Sequence, residues 1–231
     1  MNNNRLRRVV IKLTGTLFDE ESGTTLKSIV ELMSGMYHDG VQSFIITGGG
    51  GIARGYINLA RSLGAEEATL DELGIMVSRV NAKVLISTLT EFAYPLVPTN
   101  LEEISYAATQ GRIVVCGGMQ PGQSTNAVAA LIAEKIKAEL YINASDVDGV
   151  YTSDPKHNKD SRKLATVSTN ELSKILSRDK GTAGTYELMD HTAMMVIKRS
   201  KIQTRIVNCS VDSIKKAVQG KDIGTLVIHD S

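Results

Sequence analysis

Val41-Gln42-Ser43-Phe44-Ile45-Ile46-Thr47-Gly48-Gly49-Gly50-Gly51-Ile52-Ala53-Arg54 is the stretch on which the fold turns. Residues 41–47 form a short apolar, partly β-branched run, the pattern of a strand buried on both faces. Four glycines follow at once, and residues 52–63 then read as a helix. Strand, glycine turn and helix make up the unit from which parallel sheets are built. Glycine lacks a Cβ, so main-chain N–H groups can close around an anion, and a helix start adds partial positive charge. Arg54 falls about one turn into that helix, where its guanidinium can grip a phosphate bidentately. A mere linker fits poorly, because four glycines cost conformational entropy in so compact a place. The run is not a Gly-Lys-Ser/Thr phosphate loop. In Gly49-x-Gly51-x-x-Arg54 a large side chain stands where a dinucleotide fingerprint needs its third glycine.

The same alternation extends in both directions. Residues 8–13 read as a strand. Residues 25–38 read as a helix with Leu26, Ile29, Val30, Met33 and Tyr37 on one face, stopped by Gly40. Residues 70–90 form a long helical stretch with Leu73, Val77, Val80 and Val84 in step. Residues 93–97 suit a short edge strand limited by Pro95 and Pro98. A helix at 101–109, a strand at 112–116, a helix at 125–137 and a strand at 140–144 follow. Asp148-Gly149 is a hairpin signal and Asp154-Pro155 a further turn. Beyond them come a strand at 163–167, helices at 169–176 and 186–200, and strands at 204–208 and 224–228 around a helix at 211–218. No repeat or long linker interrupts the series. The expectation is one α/β domain over residues 1–231, with two lobes sharing a mostly parallel sheet and helices on both faces.

Composition narrows the function. The 231 residues carry 26 Lys and Arg against 25 Asp and Glu, a net charge of +1, which argues against nucleic-acid binding by bulk charge. Trp is absent and Phe rare, so a base-stacking platform is not expected. No window has the ~18 apolar residues that cross a bilayer, so no membrane partner is expected. Residues 1–8 are polar and basic and lack the apolar core of a secretory signal. Cys116 and Cys209 each end an apolar run and read as reduced thiols, which points to the cytoplasm. The four histidines show no metal-ligand spacing, and no metal site is assigned to side chains.

Three further motifs carry chemistry. In Ile11-Lys12-Leu13-Thr14-Gly15-Thr16 a lysine ends a buried strand beside a hydroxyl and a glycine. It reads either as a point charge for an anion or as a snorkelling lysine beside a turn. Gly117-Gly118-Met119-Gln120-Pro121-Gly122-Gln123-Ser124-Thr125-Asn126 again joins a strand to a helix. It is either a ligand-contacting wall or a long loop capped by Ser124 or Thr125. Ser145-Asp146-Val147-Asp148-Gly149-Val150-Tyr151-Thr152-Ser153-Asp154-Pro155 places three acids past a strand end. They can orient a lysine, bind ribose hydroxyls or stand near Mg²⁺, and turn chemistry explains part of the pattern. An EF-hand would need later ligands that are missing. Glycine turns with one Lys, one Arg and nearby acids suit phosphoryl transfer, which needs alignment and charge neutralisation more than a nucleophilic side chain.

These motifs, taken in order, resemble the amino-acid-kinase superfamily and, within it, the archaeal-type uridylate (UMP) kinases. The segment Ala183-Gly184-Thr185-Tyr186-Glu187-Leu188-Met189-Asp190 adds to the likeness, which runs from about Val9 to the C-terminus. The resemblance implies a three-layer α/β/α sandwich whose N-terminal lobe holds UMP and whose C-terminal lobe holds ATP. It implies that Lys12, Arg54 and Asp148 are catalytic, with Asp148 organising Lys12 or the metal. It places UMP against Gly49, Asp71, Met119, Gln120, Pro121, Gly122, Gln123, Ser124 and Thr125, with Asp71 on the ribose. It places ATP against Lys12, Leu13, Thr14, Gly15, Thr16, Gly50, Arg54, Ser145, Asp146, Tyr151 and Asp154. It also implies Mg²⁺ carried with ATP, no tightly bound organic cofactor, and a homohexamer built as a trimer of dimers.

The chain departs from relatives at Thr16 and Met195, where some have lysine, and at Asn126, where many have aspartate. Two alternatives remain. One is a kinase of the same superfamily making an isopentenyl or acyl phosphate, although the isopentenyl type places a histidine soon after the glycine loop and residues 52–61 contain none. The other is a non-catalytic nucleotide-binding storage or regulatory protein.

Overall fold

The computed structural model describes residues 6–19, 23–153, 158, 160–178 and 188–230. Strand β1 (Arg7–Leu13) leads through a 3₁₀ turn (Gly15–Phe18) to α1 (Gly23–His38), β2 (Val41–Thr47), α2 (Gly50–Ser62) and α3 (Glu67–Leu89). Then come α4 (Leu101–Ala108), β3 (Val114–Cys116), α5 (Thr125–Lys135) and β4 (Leu140–Ser145). The last third holds β5 (Val150–Tyr151), β6 (Lys163–Leu164), β7 (Thr166–Ser168), α6 (Thr169–Arg178), α7 (His191–Ser200), β8 (Gln203–Asn208), α8 (Val211–Val218) and β9 (Thr225–Ile228).

Seven strands form one sheet in the order β3-β2-β1-β4-β8-β9-β7, and β5 and β6 form a separate antiparallel ribbon. Pairings within the large sheet are parallel except β8 with β9. The alternating side chains of β1 divide the core as a strand must. Val10 packs with Phe44, Ile46, Tyr141 and the inner faces of α5 and α7. Val9, Ile11 and Leu13 pack on the other side with Ile29, Met33, Leu85 and Ile214. Helices therefore cover both faces, and the three-layer α/β/α reading holds. Every residue of β2 is buried, which is why its sequence lacks a polar period.

Several boundaries moved for physical reasons. Residues 93–97 shrink to an isolated bridge between Ala93 and Ile113, as Pro95 requires. Residues 163–167 divide: β6 pairs with β5, while β7 joins the main sheet. The helix expected over 186–200 begins at His191, capped by the Asp190 carboxylate on Ala193 N at 3.0 Å, and residues 179–187 lie outside the described ones. The largest correction concerns α3. Val80 and Met76 are 62% and 61% exposed, whereas Ser78 and Asn81 are 1% and 4% exposed. Part of the apolar stripe faces outward, and polar side chains turn in.

Candidate active site

The parallel register brings distant motifs to one edge. Leu13 pairs with both Thr47 and Ala144, Ile46 with Cys116, and Ser145 with Asn208. The loops after β1, β2, β3, β4 and β8 therefore leave the carboxyl end of the sheet together. Strands β2 and β4 lie on opposite sides of β1, and such a reversal opens a crevice outside the strand ends.

The first two glycine turns pack backbone on backbone. A Cβ on Gly15 would lie 2.0 Å from Gly50 N and 2.8 Å from the Gly48 carbonyl carbon. Gly50, with φ of +66°, would bring its own Cβ 2.2 Å from Gly15 O. Gly48 N also donates to Leu13 O at 3.1 Å. Close approach of two loops is thus a second demand on these glycines, beside room for an anion. Gly49 lies over α2 and α3, where a Cβ would meet Ala53 Cβ at 2.5 Å. Gly51 N donates to Asp19 Oδ1 at 3.1 Å, so one helix-start amide is already engaged by a carboxylate that sequence reasoning missed. Arg54 is exposed on the first turns of α2 and forms no ion pair among the described residues.

Lys12 stands in register with Ile46 and Asn143, on the side of the sheet covered by α5 and α7. Its charge reaches Cys209, whose thiol burial pushes up to about 11 while Thr14 and Lys12 draw it down. Two buried carbonyl oxygens, Asn126 Oδ1 and Asn143 Oδ1, have no hydrogen-bond donor among the described residues.

On the side expected to take the donor, a cavity of about 260 Å³ is lined by Thr14, Thr16, Ser145, Asp146, Asn208 and Cys209, among others. Thr16 Oγ1 donates to Asp146 Oδ1 at 2.7 Å and lies 3.1 Å from Thr14 Oγ1. These expected donor residues therefore come together. Asp148 takes another course. Its carboxylate holds Lys163 Nζ at 2.9 Å and Tyr151 Oη at 2.9 Å. The β5–β6 ribbon brings Lys163 opposite, so Asp148 is tied to that ribbon, beside the role toward Lys12 or the metal that the resemblance implies. The Lys163 hydrogen bond first, and Tyr151 after it, hold the Asp148 carboxyl below its usual range, and the Tyr151 phenol is raised in return. Asp154 lies outside the described residues.

On the side expected to take the acceptor, Asp71 Oδ2 accepts from Gly122 N at 2.7 Å, and Gly122 has φ of +77°. Met119, Gln120, Pro121 and Gln123 form the rest of this loop. Ser124 Oγ accepts from Asn126 N and Ala127 N, both at 3.1 Å, and donates to Asp190. Its hydroxyl thus caps α5 and ties it to the start of α7; Thr125 opens α5 beside it. Sequence reasoning missed the anchors on α3. Asn81 Nδ2 donates to Gly48 O at 2.8 Å, Ser78 Oγ accepts from Gly118 N at 2.8 Å, and Arg79 donates to Gly118 O and Met119 O. The available signal was three polar residues within four positions of an apolar helix.

The amino acid kinase family model matches residues 7–208. The uridylate kinase of Sulfurisphaera tokodaii is 42% identical over 222 residues, covering 95% of this chain and 98% of the relative. That of Methanothermobacter thermautotrophicus is 42% identical over 225 residues, covering 96% and 100%. The crystal structure of uridylate kinase from Archaeoglobus fulgidus superposes with a TM-score of 0.86 at 38% identity, covering 95% of this chain and 99% of that one. A family model spanning most of the sheet, full-length relatives and a matching structure agree: the chain belongs to the amino acid kinase family.

Proposed function

We propose that this chain transfers the γ-phosphoryl group of ATP to UMP, giving UDP and ADP. The observation that carries the reading is the meeting of two glycine turns, Lys12 and Arg54 at one sheet edge, between a donor-side cavity and an acceptor-side loop. The N-terminal half would hold UMP through Gly49, Asp71 and the β3–α5 loop. The C-terminal half would hold ATP through Ser145, Asp146, Tyr151 and Asp154.

The acceptor phosphate has a second pKa near ~6, so at neutral pH it is mostly ionised and already nucleophilic. Its oxygen attacks the γ-phosphorus, and the β–γ bridging oxygen leaves with ADP. No protein base is required. The chain contributes alignment by the glycine turns and charge stabilisation by Lys12 and Arg54. Magnesium fits the donor set: Asp146 and the Thr14 and Thr16 hydroxyls gather beside the cavity, and hard oxygen donors suit an ion that travels with nucleotide phosphates. Bound there, it would neutralise phosphate charge.

A homohexamer built on dimers is part of this proposal. Exposed Ile52, Tyr56 and Leu59 on α2 and Leu63 just after it, with Met76, Val80 and Val84 on α3, support association of copies through these two helices. Light scattering on the purified chain tests it, and a monomer at micromolar concentration would remove it. Among the described residues no helix is long and apolar enough to cross a membrane. With separate free thiols at Cys116 and Cys209, this supports a cytoplasmic site of action.

An ADP-release assay with UMP, CMP, dCMP, isopentenyl phosphate and N-acetylglutamate tests the activity. Preferred turnover of UMP is expected. Preference for isopentenyl phosphate or N-acetylglutamate would select the other kinases, and nucleotide binding without turnover would select the storage or regulatory reading.

A further inference from the structure

Helix α3 reaches the β3–α5 loop with three side chains, and one of them does more than hold it. Arg79 Nε donates to Gly118 O at 3.0 Å and Nη2 to Met119 O at 3.1 Å. A guanidinium is a planar fork, so two such bonds fix direction as well as distance. Each peptide unit is planar and trans, which sets its N–H opposite its C=O. Holding the carbonyls of Gly118 and Met119 toward α3 therefore turns the N–H groups of Met119 and Gln120 away from it. Neither N–H has a partner among the described residues, and Gln120 is exposed. The neighbouring amides are spent: Gly118 N on Ser78 Oγ at 2.8 Å, and Gly122 N on Asp71 Oδ2 at 2.7 Å. The loop thus carries two adjacent, directed donors flanked by two anchored residues.

We propose that Arg79 is a positioning residue for the acceptor, holding the β3–α5 loop so that Met119 N–H and Gln120 N–H meet oxygen atoms of the acceptor nucleotide. The inference rests on the acceptor lying against this loop. Arg79 touches neither substrate; it acts through the two peptide units. A lysine there would supply the charge without the fork, and a methionine neither.

The test measures KM for UMP and for ATP, and kcat, in the wild-type chain, Arg79→Lys and Arg79→Met. One charged hydrogen bond is worth roughly tenfold, so Arg79→Met should raise KM for UMP by about tenfold or more. KM for ATP and kcat should stay within about threefold, and Arg79→Lys should recover part of the loss. Should Arg79→Met not fold, Arg79→Lys carries the test through the same split. Equal rises in both KM values, or an unchanged KM for UMP in a folded variant, would overturn the proposal. A wild-type chain that fails to phosphorylate UMP would instead overturn the functional reading on which it rests.

Discussion

The two walls of the site are built differently. Toward the side proposed for the acceptor, two glycine turns touch through their own backbones, Gly15 against Gly48 and Gly50, and buried side chains of α3 fasten Gly48 and Gly118. On the side proposed for the donor, the wall past Ser145 runs into a ribbon of two-residue strands, closed by the exposed Asp148–Lys163 pair. One hydroxyl bridges both strands of that ribbon to the main sheet: Thr225 Oγ1 accepts from Val150 N at 2.8 Å and donates to Leu164 O at 2.5 Å. Backbone contact leaves no side chain to exchange, so the Gly15–Gly50 contact tolerates no added atom. The wall proposed for the donor is held by side chains that can be traded one at a time.

The largest effect should come from breaking the backbone contact. Gly50→Ala adds a Cβ against Gly15 O at a positive φ, and the clash falls on main chain. We expect a loss of at least about 3 kcal/mol in denaturant unfolding, from overpacking and left-handed strain together. Gly122→Ala sharpens the comparison, because φ is +77° there but a Cβ would meet nothing within 4 Å. Strain alone should then cost about 1–2 kcal/mol. Equal losses at the two glycines would mean that the Gly15–Gly50 contact adds nothing.

The proposed function gives Lys12 to the transferring phosphoryl group, so its substitution should act on chemistry more than on either wall. Lys12→Met should lower kcat by on the order of 10²–10³, with a smaller change in KM for UMP. A fully active variant would remove Lys12 from the site.

Thr225→Val tests the donor wall. It keeps the shape but leaves Val150 N without its acceptor, at a cost of about 1–3 kcal/mol. KM for ATP should rise while KM for UMP holds. A matching rise for UMP would show that the walls are not independent.

This asymmetry also explains how much the sequence revealed. The alternation of strands and glycine turns was legible because parallel strands buried on both faces leave short, β-branched apolar runs, as in Phe44-Ile45-Ile46 within β2. Lys12, Arg54 and the glycine loops were legible because each motif is local. The α3 anchors were not. Val80 and Val84 advertise a core face, yet they are exposed, while Ser78 and Asn81 go inward to bond loops more than thirty residues away. Periodicity reports which residues are apolar, not whether another copy or this chain's own core covers them. The pairing of Asp148 with Lys163 was hidden for a related reason: Lys163 lies fifteen residues on, and the β5–β6 pairing brings the two together.

The smallest effect should come from that pair. Asp148 and Lys163 side chains are 52% and 33% exposed, so solvent screens their attraction. The hydrogen bond from Lys163 is the main cause holding the Asp148 carboxyl below its ordinary value. A depressed carboxylate stabilises the fold above its unfolded pKa of about 4, and that contribution is lost as pH falls through the lower folded value. Lys163→Met should therefore destabilise by only about 0.2–1 kcal/mol at pH 7. The difference from wild type should shrink as pH falls below about 4, where Asp148 becomes protonated. Raising salt to about 1 M, where the screening length is roughly 3 Å, should shrink it as well. Urea unfolding of both proteins at neutral and acidic pH, at low and high salt, measures all three. A loss several times larger, insensitive to salt, would show that the donor wall leans on this pair as firmly as the acceptor wall leans on its glycines.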